Sequence, residues 1–286
     1  MTKIAVLGTG LMGAPIARHL GARFNTSVWN RNPDRALPLA DIAHVATDPV
    51  GAVSDADVVI SMLLDGPATE AVLIGKGAIE AARPGALVID MGSVEPDCDR
   101  RLADFARRQG KHFIDAPVSG GVVGAEAASL SIFVGGSTAD FEYAFPLLSA
   151  LGRPTYMGPV GSGQVAKLAN QLIVAITIGA VAEALHLAEN AGCDPAGLVE
   201  ALKGGFADSR ILHLHGNRMV KGDFQPGGRS AAQLKDLRNA LNTAAETGLV
   251  LPLAQTVTEG FADLVDHKGG GDLDHAAYYL WLKGIT

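Results

Sequence analysis

The sequence predicts an α/β chain. A doubly wound, mostly parallel sheet occupies the first half, an all-α domain the second, and one long helix joins them. Three observations carry this prediction. Short apolar runs alternate with segments of helical spacing through the first half, the pattern of a parallel sheet covered on both faces. Strand-like runs are nearly absent after Met157. Between the two regions, the glycine-rich turn GPVGSG (residues 158–163) enters an apolar stretch that keeps helical character to Ala191 and stops at Gly192. The expected division is therefore 1–162 and 163–286.

Each element follows from local pattern. Residues 4–7 are a short apolar run, 11–20 have helical spacing, and 26–29 are β-like. Residues 56–64 contain VVISMLL, the composition of a buried strand. A helix is expected over 67–82, with Pro67 in its first turn, and a strand over 86–90. Residues 96–109 read as an amphipathic helix closed by Gly110. Strands at 112–116 and 130–134 and a helix at 138–148 complete the first half. In the second half, the long helix covers 163–191, and Asp194-Pro195 opens a helix that runs through Lys203. Residues 229–247, 253–268 and 275–283 are also expected to be helical.

Composition narrows the function. The chain has 286 residues, 48% hydrophobic and 19% charged, enough for two domains with substantial cores. A net charge of −7 and the lack of any basic run disfavour nucleic-acid binding. Cys98 and Cys193 form no metal or redox spacing and fit a reducing cytoplasm. The strand-like run begins at Lys3, so no secretory leader is expected. The apolar run 172–182 is shorter than the roughly 20 residues of a membrane span and reads as a buried helix. These features point to a cytoplasmic protein with no membrane or nucleic-acid partner.

Gly8-Thr9-Gly10-Leu11-Met12-Gly13 follows a strand and opens a helix, the context that gives G-x-G-x-x-G its meaning. The first glycines permit a tight turn and close approach to a pyrophosphate, and the third lets helix and strand pack. Free N–H groups at the helix start then meet the phosphate. A purely structural glycine turn is the alternative. At the end of the second strand, NAD-binding chains carry a carboxylate for the ribose hydroxyls. This chain has Trp29-Asn30-Arg31-Asn32 instead, so nothing there repels a 2′-phosphate and Arg31 can pair with one. NADP(H) is favoured, with NAD(H) possible. Arg31 as a solvated loop charge, or stacked on adenine, is the competing reading. Leu63 and Leu64, closing VVISMLL, are expected on the cofactor side.

Lys167 lies two turns inside the long helix, and Asn170 and Gln171 share its face by their spacing. An amine and two amides on a mostly apolar helix suit the reduction of a carbonyl. Hydride adds to carbon, negative charge forms on oxygen, and a donor must neutralise it. Lysine does this as ammonium and serves the reverse oxidation as amine. On spacing alone, a lysine whose stem packs on the helix while its head stays in water fits as well. Ser119-Gly120-Gly121 has the plain alternative of a tight turn after a strand, and Lys235-Asp236 that of a surface pair.

Four separated motifs in this order resemble the β-hydroxyacid dehydrogenase family over nearly the whole chain. That family includes 3-hydroxyisobutyrate dehydrogenase, tartronate semialdehyde (2-hydroxy-3-oxopropionate) reductase and, more distantly, 6-phosphogluconate dehydrogenase. VLGTGLMGAPIARHL (6–20) resembles its cofactor fingerprint, and DAPVSGGVVGAEAASLSIFVGG (115–136) its substrate-binding segment. GPVGSGQVAKLANQ (158–171) resembles its catalytic segment and LKDLRNAL (234–241) its second lysine motif.

The resemblance implies a Rossmann-type cofactor domain over 1–162 and a helical substrate and dimerisation domain over 163–286. It implies that Lys167 is the catalytic lysine, flanked by Asn170 and Gln171. Ser119, Gly120 and Gly121 would hold the substrate carboxylate, and Lys235 and Asp236 would close over the site. Ser93, in DMGSVEP, would lie near the nicotinamide, with Gly92 where serine is common. The Asn-Gln form of the helix motif resembles the tartronate semialdehyde reductase branch.

The expected activity is NADP(H)-linked interconversion of a small 3-hydroxy acid and its semialdehyde. An imine reductase-like enzyme of the same architecture shares a similar WNR segment but typically lacks the lysine. A non-catalytic nucleotide-binding protein is the second alternative. No metal is expected, because His213, His215 and His275 are scattered and Asp272, Asp274 and His275 follow a run of glycines that reads as a surface loop and helix cap. Phe206, Arg210 and Phe224 are expected near the substrate, unless the two phenylalanines are core. An apolar helix of about 28 residues spans roughly 42 Å, more than the remaining helices cover, so a homodimer or homotetramer is expected.

Overall fold

The computed structural model describes residues 2–285. The chain forms two compact units that divide after Lys167. In the first, the strands are β1 (Lys3–Leu7), β2 (Asn25–Trp29), β3 (His44–Val45), β4 (Val58–Ser61), β5 (Leu87–Asp90), β6 (His112–Asp115), β7 (Val118–Ser119), β8 (Leu130–Gly135) and β9 (Gly152–Gly158). They form one sheet in the order β3-β2-β1-β4-β5-β6-β8-β7, with β9 paired to β8. The run from β3 to β6 is parallel, and the 3-2-1-4-5-6 order is that of a dinucleotide-binding sheet. β8 lies antiparallel to β6 and β7.

The strand alternation builds two cores. Ile4, Val6, Val28, Ile60 and Ile89 face one side, with Ile16 and Leu20 of helix α1 (Gly13–Gly21). Ala5, Leu7, Trp29, Val59 and Val88 face the other, with Leu73, Ile79 and Leu102. Because both faces are buried, the strands read as nearly continuous apolar runs. The other helices of this unit are α2 (Pro49–Val53), α3 (Gly66–Glu70), α4 (Ala78–Ala81), α5 (Pro96–Arg108), α6 (Gly121–Glu126) and α7 (Thr138–Leu148).

Helix α8 (Ser162–Asn190) is continuous. Its start is packed tightly: a Cβ on Gly163 would strike the Phe133 carbonyl oxygen and the Asp115 carboxylate. In the second unit, Ala175, Ile178, Ala182 and Leu185 of α8 join Leu212, Leu237, Phe261 and Tyr278 in one core. This unit also holds α9 (Pro195–Ala201), α10 (Asn217–Lys221), α11 (Ser230–Glu246), α12 (Pro252–Ala262) and α13 (Tyr278–Leu282). By length and composition α8 is apolar enough to cross a membrane, which the shorter run read from the sequence is not. The burial of four of its residues in a protein core instead suits a soluble fold.

Several elements differ from the sequence prediction. The helix expected over 67–82 is broken: α3 passes into a wide turn at Ala71–Gly75, and Gly77 takes φ +73° before α4. The expected helix over 253–268 likewise ends in a wide turn at Asp263–His267, and a tight turn at His275–Ala277 precedes α13. Strand β9 was not expected. It carries Pro154 and is mostly exposed, which an edge strand tolerates and which erases the apolar pattern.

Candidate active site

On the first unit, the nucleotide loop leaves the end of β1. Gly8 has φ +101°, a conformation that favours glycine, and its N–H donates to the Trp29 carbonyl at 2.8 Å. A Cβ on Gly13 would collide with the Gly8 carbonyl oxygen, so the third glycine of the motif is required by packing. Gly10 has open space around it apart from Arg35 Nη1, 4.0 Å from where a Cβ would stand. Leu11 is 77% exposed, Met12 is half-buried, and α1 has no acidic residue in its first turn. An open loop, free of side chains and ending at a helix N-terminus, fits a pyrophosphate.

Asn30 is joined to this loop, its Oδ1 accepting the Thr9 N–H at 3.1 Å. Arg31 is exposed beside it. Arg35 is a basic neighbour that the sequence reading missed, although it stands four positions after Arg31; the Thr9 hydroxyl donates to its carbonyl at 2.9 Å. Leu63 packs at Gly8, and Leu64 is exposed.

The Ser93 loop is held by a residue the sequence did not single out. Gln164, fully buried in the first turn of α8, brackets Ser93: its Oε1 accepts the Val94 N–H at 3.2 Å, and its Nε2 donates to the Gly92 carbonyl at 3.0 Å. Gln164 Nε2 also donates to Asp99 Oδ2 at 2.7 Å. Asp115 caps the helix, Oδ1 accepting the Gly161 N–H at 2.7 Å and Oδ2 the Gln164 N–H at 2.9 Å. Asp90, Asp99 and Asp115 are all fully buried. Burial, together with the neighbouring acids, pushes Asp90 up to about 6 and Asp99 well above the ordinary range. Asp115 is also raised by burial, against the backbone N–H groups that favour its charge. Helix start, Ser93 loop and acid cluster thus form one polar assembly.

Ser119 ends β7, and Gly120 and Gly121 follow with φ +138° and +63°, opening α6. The turn presents a half-buried hydroxyl and two exposed glycines, a surface that admits a carboxylate close to backbone. Lys167, in the second turn of α8, is only 8% exposed. The alternative of a lysine with its head in water therefore fails.

On the second unit, Asn170, Gln171, Lys235 and Asp236 come together. Asn170 Nδ2 donates to Gln171 Oε1 at 2.9 Å, and Gln171 Nε2 donates to Asp236 Oδ2 at 2.8 Å. Lys235 Nζ lies 3.3 Å from Asp236 Oδ1. Asp236 is buried, so Lys235-Asp236 is more than a surface pair. Phe206 is fully exposed and is not core, Arg210 is exposed, and Phe224 packs partly against the helical core.

The expectation of scattered histidines is overturned. His215 Nε2 and His275 Nε2 lie 3.2 Å apart, and Asp274, expected in a surface loop and helix cap, does cap the turn at His275–Ala277 but is fully buried beside them. These three are spaced closely enough for a metal ion. The donor set argues otherwise. Asp274 faces the opposite nitrogen of His215, at 3.4 Å, and its oxygens already take Arg218 Nη1 at 2.7 Å and the N–H groups of Gly227, Gly228 and Ala276. Burial would raise Asp274, but His215, His275 and these N–H groups outweigh it and hold the carboxyl well below its usual range. An arginine within ion-pair distance disfavours a cation there.

Fold and loop define an NAD(P)-dependent oxidoreductase. Residues 3–161 match the NAD-binding domain of 6-phosphogluconate dehydrogenase, and residues 161–282 match the NAD-binding family of NADP-dependent 3-hydroxyisobutyrate dehydrogenase. A 2-hydroxy-3-oxopropionate reductase of Escherichia coli (strain K12) is 41% identical over 96% of this chain and 95% of its own length. A solved Mycobacterium tuberculosis 3-hydroxyisobutyrate dehydrogenase with L-serine is 33% identical over 99% of both chains, with a TM-score of 0.90. A structure described as Psf3 in complex with NADP+ and 2-OPP is 25% identical over 98% of this chain and 99% of that one, with a TM-score of 0.86. The chain belongs to the β-hydroxyacid dehydrogenase family, and it is a dehydrogenase of the 3-hydroxyacid type.

Proposed function

We propose that the protein is an NADP(H)-dependent reductase of a small 3-oxo acid or semialdehyde, with 2-hydroxy-3-oxopropionate as the leading substrate and Lys167 as general acid and base. The observation that carries this reading is the burial of Lys167 on α8, three residues before an amide pair held by Asp236. Identity of 41% to the E. coli reductase supports the choice of substrate.

The loop residues Gly8, Gly10, Leu11, Met12 and Gly13 would hold the pyrophosphate through backbone N–H groups. Asn30, Arg31 and Arg35 would receive the 2′-phosphate; two guanidinium groups against the single carboxylate of Asp34, and none at the strand end Trp29–Asn32, favour NADP(H) over NAD(H). Leu63, Leu64 and Ser93 would line the nicotinamide side, with Ser93 fixed by Gln164. Bound NADPH supplies the hydride for the carbonyl carbon.

The Ser119-Gly120-Gly121 turn would bind the substrate carboxylate, with Lys235 adding charge. Lys167 as ammonium would give its proton to the carbonyl oxygen as negative charge develops, and Asn170 and Gln171 would orient the amine without adding a charge. Asp236 fixes Gln171 and would complete the cofactor side from α11. Apolar side chains left exposed on α8, Ile173 and Leu187, support a homodimer or homotetramer, and the two unpaired thiols support a cytoplasmic setting.

The test is a kinetic panel of tartronate semialdehyde, glyoxylate, succinic semialdehyde and methylmalonate semialdehyde with NADPH and NADH. The expected result is the highest kcat/KM for tartronate semialdehyde with NADPH. Equal use of NADH, unchanged in Arg31→Ala, would refute the cofactor assignment.

A further inference from the structure

The second unit carries a buried polar chain that the chemistry above leaves unexplained. We infer that His215, His275 and Gln233 are positioning residues for the Asn170–Gln171 pair, holding it through a hydrogen-bond relay that begins at His215, packed beside the Arg218–Asp274 ion pair. This inference rests on the reading that Asn170 and Gln171 stand at the reaction site.

The relay runs from His215 to Asn170, beside a fixed ion pair. Arg218 and three backbone N–H groups lock Asp274, whose Oδ1 stands 3.4 Å from His215 Nδ1. His215 Nε2 meets His275 Nε2 at 3.2 Å, the rings edge to face with centroids 4.4 Å apart. His275 Nδ1 meets Gln233 Oε1 at 3.4 Å. Gln233 Nε2 donates to the Gln171 carbonyl oxygen at 3.2 Å, and Gln233 Oε1 accepts Gln171 Nε2 at 3.4 Å. Gln171 Oε1 then accepts Asn170 Nδ2.

The donors and acceptors allow one direction only. The Gln233 amide cannot flip, because its oxygen would then face the Gln171 carbonyl oxygen and its NH2 the Gln171 NH2. Its Oε1 therefore faces His275, and an oxygen only accepts, so His275 carries its hydrogen on Nδ1. A neutral His275 then accepts at Nε2, which makes His215 Nε2 the donor; the 3.4 Å approach of His215 Nδ1 to Asp274 Oδ1 is a contact without a hydrogen bond and stands outside the chain. The histidine pair thus sets the Gln233 amide, Gln233 together with Asp236 sets the Gln171 amide, and Gln171 sets Asn170. Gln233 and His215 are buried, where a broken link leaves polar atoms without partners. An amide turned away from a centre of developing charge slows chemistry without weakening ground-state binding at the cofactor.

The experiment compares full-length wild type with Gln171→Ala, His275→Phe, His275→Asn and Gln233→Leu, using tartronate semialdehyde and NADPH. Gln171→Ala is expected to lower kcat. His275→Phe and Gln233→Leu are expected to lower kcat about tenfold with the KM for NADPH unchanged. His275→Asn places an amide N–H near the Nδ1 position and should recover most of that loss. His275→Phe and Gln171→Ala should combine non-additively, as members of one chain. A kcat within about twofold of wild type in both His275→Phe and Gln233→Leu, with Gln171→Ala impaired, would overturn the relay alone. Unimpaired Gln171→Ala would overturn the site reading and the relay with it. Nitrogen-15 spectra of the wild-type histidines do not depend on any variant folding: His275 is expected as the Nδ1–H tautomer, and a neutral Nε2–H form overturns the inference.

Discussion

Replacing Asp90 with asparagine should stabilise the protein above neutral pH. Asp90 is fully buried, its Oδ1 takes the Ser61 hydroxyl at 2.7 Å and the Gly92 N–H at 3.3 Å, and its Oδ2 has no hydrogen-bond donor among the described residues. Asp99 Oδ1 is likewise without one. Burial opposes the charge and pushes the Asp90 carboxyl from 3.8 up to about 6. Between these two values native Asp90 binds a proton that the unfolded chain has released, so its contribution to stability falls as pH rises from about 4 to 6 and stays lower above that. At 1.36 kcal/mol per pH unit, the full loss is about 3 kcal/mol. Asparagine keeps the acceptor for Ser61 and Gly92, removes the charge, and offers an N–H toward Asp99. At pH 7.5 the variant should gain up to about 3 kcal/mol, on the order of 6–12 °C in Tm for a unit of this size. Its stability should also fall less steeply than that of the wild type between about pH 4 and 6, the raised Asp99 and Asp115 keeping their share of the slope. The assay is denaturant unfolding at a series of pH values. A variant about 1 kcal/mol or more less stable at pH 7.5, or one that keeps the wild-type slope, would refute the reasoning.

Two further predictions concern the nucleotide half. Gly13→Ala forces a methyl into the Gly8 carbonyl, which should cost about 1–3 kcal/mol of stability and weaken NADPH binding, read by unfolding and by cofactor fluorescence titration. Arg31→Ala and Arg35→Ala should each raise the KM for NADPH by about tenfold and leave that for NADH nearly unchanged, as expected when a charge-assisted contact to a 2′-phosphate is lost; equal effects on both cofactors would reassign these residues.

Much of the fold was legible because it rests on local pattern. Uninterrupted burial on both faces makes β1, β4 and β5 apolar runs, and the glycines of the nucleotide loop are imposed by backbone crowding at Gly8 and Gly13. The breaks at Ala71–Gly75 and Asp263–His267 were missed because wide turns keep helical periodicity in sequence. Lys167, Asn170 and Gln171 stand out as polar groups on an apolar helix. Gln164 does not, because its partners, the Gly92 and Val94 backbone and Asp99, are more than 60 positions away. The same holds for His215 and His275, 60 positions apart, and for Gln233, 62 positions from Gln171. Such networks are created by tertiary packing and leave no spacing to read.

The central claim is that buried Lys167 moves the proton in a carbonyl reduction. Single-turnover reduction of tartronate semialdehyde by Lys167→Met, followed at the nicotinamide absorbance with NADPH binding measured in parallel, tests it most directly. The account predicts a loss of at least about a hundredfold in the chemical step with NADPH affinity within about twofold of wild type. A variant that binds NADPH and retains more than a few per cent of the wild-type rate would contradict it.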